Sequence, residues 1–177
     1  MSWFAHLPAL QVVIPLLAAP LTVLLRRRSL AFAVALAAGW LALATSILLW
    51  LRVADGGTIS YAIGNWPAPW GIEYRVDALS AFVLVLVSGT AAVVLPYSRA
   101  SIEAEVAPQQ HYLFYTMFLL CLAGLLGITI TGDAFNAFVF LEISSLSTYV
   151  LIALGRDRRA LVASYQYLIM GTIGATF

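Results

Sequence analysis

The chain reads as an all-α integral membrane protein of about six transmembrane helices, with a short outward β-hairpin between the second and third. Three observations predict this class. The residues are 63% hydrophobic and only 10% charged, with mean hydropathy +0.97, whereas soluble domains hold about 45–50% apolar and about 25% charged residues. Apolar runs long enough to cross a bilayer, at about 1.5 Å per helical residue, recur along the chain. The basic residues gather in alternate loops, as the positive-inside rule requires of a multi-pass protein. A net charge of +1 gives no reason to invoke nucleic acid, and the lone Cys121 excludes an internal disulfide framework or cysteine metal cluster.

The first crossing covers roughly Leu7 to Leu25 and contains Pro8, Pro15 and Pro20, tolerable in a membrane helix whose neighbours satisfy the freed carbonyls. A cleaved signal peptide is the competing reading. Its charge order is reversed here, because Arg26, Arg27 and Arg28 follow the run and no basic residue precedes it, so a retained helix is expected. The second crossing runs from about Leu30 to Leu51, with Trp50 placed as an interfacial anchor. The third covers about Ala78 to Leu95 and is expected to stop at Pro96; the fourth runs from His111 to Thr131. The fifth spans about Ala134 to Leu154, with Asp133 able to cap its first turn. The sixth begins near Ala160 and is still apolar at Phe177 with no polar flank, which marks the chain as an expected fragment.

Between the second and third crossings, Ile59, Tyr61 and Ile63 alternate with smaller or polar residues, and so do Ile72, Tyr74 and Val76. The turn-rich stretch Gly64-Asn65-Trp66-Pro67-Ala68-Pro69-Trp70-Gly71 separates them. Period-two alternation around such a turn predicts a hairpin at the membrane surface; an irregular interfacial loop is the alternative. Seven of the nine arginines fall in the loops after helices one, three and five. Those loops are therefore expected in the cytoplasm, with the N-terminus and hairpin outside.

Motifs for nucleotide binding or zinc proteolysis are absent from these residues. His6 and His111 stand alone near membrane boundaries and are expected to be interfacial, and Gly124, Gly127 and Thr131 form a small-residue edge suited to close helix packing. The residue that invites a functional reading is Glu142, an ionisable carboxyl near the middle of the fifth crossing. A charged acid at mid-bilayer costs about 2.5–3.5 kcal/mol on insertion scales, so it normally faces other helices or a wet cavity. At 100° per residue, Phe135, Phe138, Ser145 and Tyr149 share its face, while Asn136, Phe140, Ser144 and Ser147 form another. Ser145 and Tyr149 are thus candidate partners for a carboxyl that takes up and releases protons. A protonated glutamate bonding a neighbouring helix is the structural alternative. Gln166 in the sixth crossing either continues a polar path or bridges helices.

The run Thr131-Gly132-Asp133-Ala134-Phe135-Asn136-Ala137-Phe138-Val139-Phe140-Leu141-Glu142 resembles the fifth-helix signature of the proton-conducting membrane transporters. These include the D subunit of Mrp-type cation/proton antiporters and the antiporter-like L, M and N subunits of complex I and membrane-bound hydrogenases. Two weaker matches are Tyr74-Arg75-Val76-Asp77-Ala78-Leu79-Ser80 and Tyr167-Leu168-Ile169-Met170-Gly171-Thr172-Ile173-Gly174. Leu141 departs from the aromatic that often precedes the glutamate, and Ile143-Ser144-Ser145 replaces a bulkier stretch. The resemblance implies the N-terminal part of a fold with two inverted five-helix repeats, the first repeat starting at the fourth helix.

By the same resemblance, Glu142 works with a lysine of a later helix. These residues contain no lysine, so that partner is expected beyond Phe177. The implied function is that of a Na⁺ or other monovalent cation/proton antiporter subunit in the bacterial inner membrane, working with other membrane subunits and needing no cofactor or metal of its own. Alternatives are the same fold in a redox-driven complex, whose chemistry would belong to partner subunits, and a non-transporting membrane scaffold.

Overall fold

A computed structural model of the protein describes residues 6–66 and 70–176. Among the described residues, six α-helices and one two-stranded sheet follow in order: α1 (Leu7–Leu25), α2 (Arg28–Gly56), β1 (Ile59–Ala62), β2 (Glu73–Val76), α3 (Ala78–Glu105), α4 (His111–Ile130), α5 (Ala134–Ala153) and α6 (Arg158–Thr176). Five of the described helices, α1 to α5, are long and apolar enough to cross a membrane. The sixth forms as a helix but falls outside that group, because its first half carries Arg158, Arg159, Ser164, Tyr165, Gln166 and Tyr167.

The strands pair antiparallel with Ile59 opposite Val76 and Tyr61 opposite Tyr74, so the alternating residues do form a hairpin. Its tip, Pro67 to Pro69, lies outside the described residues. Trp66 and Trp70 on either side are exposed, as interfacial aromatics are.

The third helix corrects the expectation that Pro96 would end it: α3 continues past Pro96 to Glu105. Proline removes one N–H and frees one carbonyl, which the membrane helix tolerates, and an amphipathic extension then rewards continuation. Ile102 is buried in that extension while Glu103 and Arg99 stay at the surface, Arg99 bonding Glu103 at 3.3 Å and Arg28 pairing with the same carboxylate. The second helix likewise outruns its apolar stretch at both ends, to Arg28 and Gly56.

α4 is apolar all round and fills the centre of the bundle, packing on α1, α2, α3 and α5. Around it the core divides in two. Tyr74, Val76, Leu84, Leu126, Ile130 and Phe140 cluster at the hairpin end. Ala31, Ala35, Leu95, Ile102, Tyr115 and Leu119 cluster at the opposite end.

Buried polar groups join the helices in the interior. The fully buried Gln11 donates through Nε2 to Ser46 Oγ at 2.7 Å and to the Ala42 carbonyl at 3.2 Å, and its Oε1 accepts from Thr45. Ser88 Oγ donates to Ser46 Oγ at 2.9 Å and so brings α3 into the same network. Thr22 and Thr116 hydroxyls meet at 2.7 Å between α1 and α4. With no water in the hydrocarbon, such groups must satisfy one another. His111 also departs from expectation: it is 1% exposed, with Nε2 3.0 Å from the Val106 carbonyl. His6, by contrast, stays at the hairpin surface with Nδ1 2.9 Å from the Tyr61 hydroxyl.

Candidate functional site around Glu142

Two sequence segments far apart in the chain meet to place the start of α5. The outer edge of β2 takes up the α4–α5 link: Tyr74 and Thr131 form an antiparallel bridge, and the Gly132 amide donates to the Glu73 carbonyl at 2.8 Å. A Cβ at Gly132 would lie 3.3 Å from that carbonyl oxygen, so glycine suits the close approach. Asp133 then caps α5, accepting from the Asn136 amide at 3.0 Å, and Asn136 Nδ2 donates to Thr131 Oγ1 at 3.1 Å. Below this cap the Tyr74 ring packs on Phe140 with centroids 6.4 Å apart. Burial pushes the Tyr74 phenol above its ordinary range, and a hydrogen bond with Asn136 offsets part of that rise.

The Tyr74-to-Ser80 segment has a local logic too. Tyr74 and Val76 point inward and Asp77 caps α3 by accepting from the Ser80 amide at 2.8 Å. That amide, the Ser80 hydroxyl and the charge of Arg75 hold the exposed Asp77 carboxyl below the usual carboxylate range.

From its cap α5 descends against α4 on its Asn136, Phe140, Ser144 and Ser147 face, the small-residue edge of α4 allowing the approach. A methyl at Gly124 would meet the Ser144 amide nitrogen at 2.7 Å, and one at Gly127 would run into the Phe140 ring. Ser144 is therefore small because α4 lies against it, which accounts physically for the departure noted at Ile143-Ser144-Ser145. Cys121 is half-buried in α4, with Sγ 3.5 Å from Thr148 Oγ1.

Glu142 follows the cap by eight or nine residues, about 12–14 Å along a helix at 1.5 Å per residue, and thus near mid-depth of α5. Its side chain is half-buried, on a face away from the α4 contact, and makes no hydrogen bond or ion pair among the described residues. Ser145 is half-buried beside it without bonding to it. Tyr149 is turned elsewhere. It is 8% exposed, its ring meets Tyr167 of α6 with centroids 5.4 Å apart, and a methyl at Gly171 would collide with its hydroxyl oxygen. Ser164 Oγ donates to the Tyr149 carbonyl at 2.7 Å, closing the α5–α6 contact. Gln166 is exposed on α6 and does not reach Glu142. The structure thus groups Tyr149 with α6 and leaves Glu142 and Ser145 on an open face. Sequence reasoning missed Gln11, Ser46 and Ser88, whose only signal was a polar residue inside each apolar run.

The opposite end of the bundle is defined as sharply. Val106 and Gly155 form an antiparallel bridge, the Arg156 amide donates to the Glu105 carbonyl at 3.0 Å, and Arg156 Nη2 donates to the Val106 carbonyl at 3.0 Å. With the Arg28–Glu103 pair, these contacts bring the loops after α1, α3 and α5 to one end of the molecule, away from the hairpin.

Known proteins share this arrangement. No family model matches the chain. It is 44% identical over 176 residues to the NADH-quinone oxidoreductase subunit N of Desulforudis audaxviator, covering 98% of this chain and 35% of that protein. It is 36% identical over 175 residues to the D subunit of a probable K⁺/H⁺ antiporter of Rhizobium meliloti, covering 94% of this chain and 31% of the relative. Among solved structures, a chain of the archaeal membrane-bound sulfane sulfur reductase superposes with TM-score 0.87 at 28% identity, over 97% of this chain and 35% of that one. A chain of the Mrp complex from Dietzia sp. DQ12-45-1b superposes with TM-score 0.86 at 26% identity, over 99% and 33%. The chain spans about a third of the length of the relatives it matches. Over that third the fold is shared, and the chain belongs to the proton-conducting family of antiporter-like membrane subunits.

Proposed function

We propose that the chain is the N-terminal part, including the start of the first five-helix repeat, of an ion-translocating subunit of a monovalent cation/proton antiporter. Na⁺ is the leading coupled cation. Glu142 carries the proton, with Ser145 beside it and Tyr149 shaping the neighbouring α5–α6 contact. One observation carries the reading: an ionisable carboxyl at mid-depth of a capped, closely packed helix, on a face where no described residue bonds to it. A group so placed has to meet a partner or a wet path, since an unpaired charge in hydrocarbon is costly. The partners in this reading are other membrane subunits, and the site is the bacterial inner membrane with the arginine-rich end in the cytoplasm and the N-terminus outside.

The second reading is the same relay inside a redox-driven complex. The 44% identity to a subunit N over nearly the whole chain favours it. Cation-dependent ΔpH dissipation in everted vesicles supports the antiporter; proton pumping that needs an electron donor supports the redox complex.

Glu142→Gln in the complete protein tests the role itself. It keeps size and hydrogen-bonding capacity and removes the titrating proton, so assembly survives while coupled transport falls by about a hundredfold or more. Glu142→Asp withdraws the carboxyl by one methylene and leaves partial activity with a shifted pH optimum. Near-normal exchange in Glu142→Gln, normalised to assembled protein, would refute the relay and leave a structural glutamate.

A further inference from the structure

At the arginine-rich end, a cavity of about 370 Å³ opens between α2, α3 and α4, lined by Arg28, Ser29, Phe32, Arg99, Glu103 and Tyr115. We propose that this cavity binds the phosphodiester headgroup of an anionic phospholipid.

Its construction suits that ligand. Two guanidiniums face a single carboxylate, Glu103, which engages Arg28 through Nη2 and Arg99 through Nε and leaves the remaining donors of both free to point at an anion. The Arg99 guanidinium is held over the Phe32 ring, 5.1 Å from its centroid, so its fork is pre-set rather than waving in solvent. Tyr115 lines the cavity and is 1% exposed; its ring touches Phe32 and Phe114, yet its hydroxyl makes no hydrogen bond among the described residues. Tyr115 forms the inner wall of the cavity, where its hydroxyl can donate to an acceptor that enters.

Location decides between lipid and free anion. The cavity lies at the first turn of α2 and the second turn of α4, where the apolar spans begin. Leu24, Leu30 and Tyr97 nearby in sequence are exposed, giving apolar surface along which acyl chains can run. Arg26 and Arg27, also exposed, add positive charge at the same level. Basic pockets between membrane helices at this level are where phospholipid headgroups lodge.

The test is native mass spectrometry of the purified full-length protein in micelles titrated with phosphatidylglycerol or phosphatidylcholine, with inorganic phosphate in a parallel arm. Phosphatidylglycerol is expected to be retained and phosphatidylcholine lost. Arg28→Ala and Arg99→Ala each weaken retention about fivefold, and together about 25-fold. Arg158→Ala, an exposed arginine at the same end but away from the cavity, leaves it unchanged. Glu103→Gln removes the competing carboxylate and strengthens retention about fivefold, a gain that a misfolded variant cannot imitate. Equal retention of both lipids, an equal loss with Arg158→Ala, or binding of inorganic phosphate without phosphatidylglycerol would each overturn the proposal.

Discussion

Replacing Gly124 by alanine isolates the packing that sets the position of α5. The added methyl would lie 2.7 Å from the Ser144 amide nitrogen and 2.8 Å from the Phe140 carbonyl oxygen, both backbone atoms that no rotamer change can move. Ordinary contact begins near 3.4 Å, so α4 and α5 must part by about 0.7 Å at this level, an overpacking that costs about 1–3 kcal/mol. Against it stands the helix-propensity gain of Gly→Ala, about 1 kcal/mol. The net is a loss of up to about 2 kcal/mol. Gly39 in α2 supplies the control, because a methyl there meets nothing within 4 Å; Gly39→Ala keeps the propensity gain and stabilises by about 1 kcal/mol. Thermal unfolding followed by size-exclusion should place the two variants on opposite sides of the parent. If Gly124→Ala is as stable as Gly39→Ala, the α4–α5 contact is looser than described and the reasoning fails. In the proposed relay the same separation also displaces Glu142, so coupled transport by the complete protein carrying Gly124→Ala should fall as well.

Gln11→Leu strips the α1–α2–α3 network of its central member and leaves Thr45 and Ser46 with fewer partners, lowering stability by about 1–2 kcal/mol in the same unfolding assay. Asp133→Ala removes the α5 cap and costs about 1 kcal/mol, with faster amide exchange confined to the first turn of α5. Tyr74 should titrate later than the other tyrosines in an alkaline difference spectrum between the parent and Tyr74→Phe. Its neutral form is favoured on folding, so the associated stability is present below the ordinary phenol range and is lost as pH rises through the raised value. A single cysteine at position 157, in a Cys121→Ser background, should be labelled only from the cytoplasmic side; outside labelling would reverse the topology.

Much of the fold is legible in the sequence because its signals are local. Apolar run length marks the helices, period-two alternation marks β1 and β2, and Asp133 announces its own cap. The end of α3 is not legible in that way. Pro96 is a breaker in water, while its cost in a bundle depends on what the helix packs against further on, here through Ile102 and Glu103. Helical periodicity puts Tyr149 with Glu142, but a phenol has reach, and Gly171 on α6 offers it a place that no one-helix projection contains. The meeting of Glu73 with Gly132, and of Glu105 with Arg156, joins segments about 50 residues or more apart and leaves no periodic trace.

Those two meetings have a mechanical consequence. One fixes the top of α5 to the strand that leads into α3, the other fixes the bottom of α5 to the residue with which α3 ends. A helix anchored by backbone bonds at both ends cannot slide like a piston or tilt as a rigid rod without rupturing one of them. Alternating-access transporters rely on such rocking of one bundle against another. Those contacts fix α5 to α3 within this bundle, so in the proposed relay charge passing Glu142 would move by side-chain swings and proton hops and not by a sliding of α5 against α3.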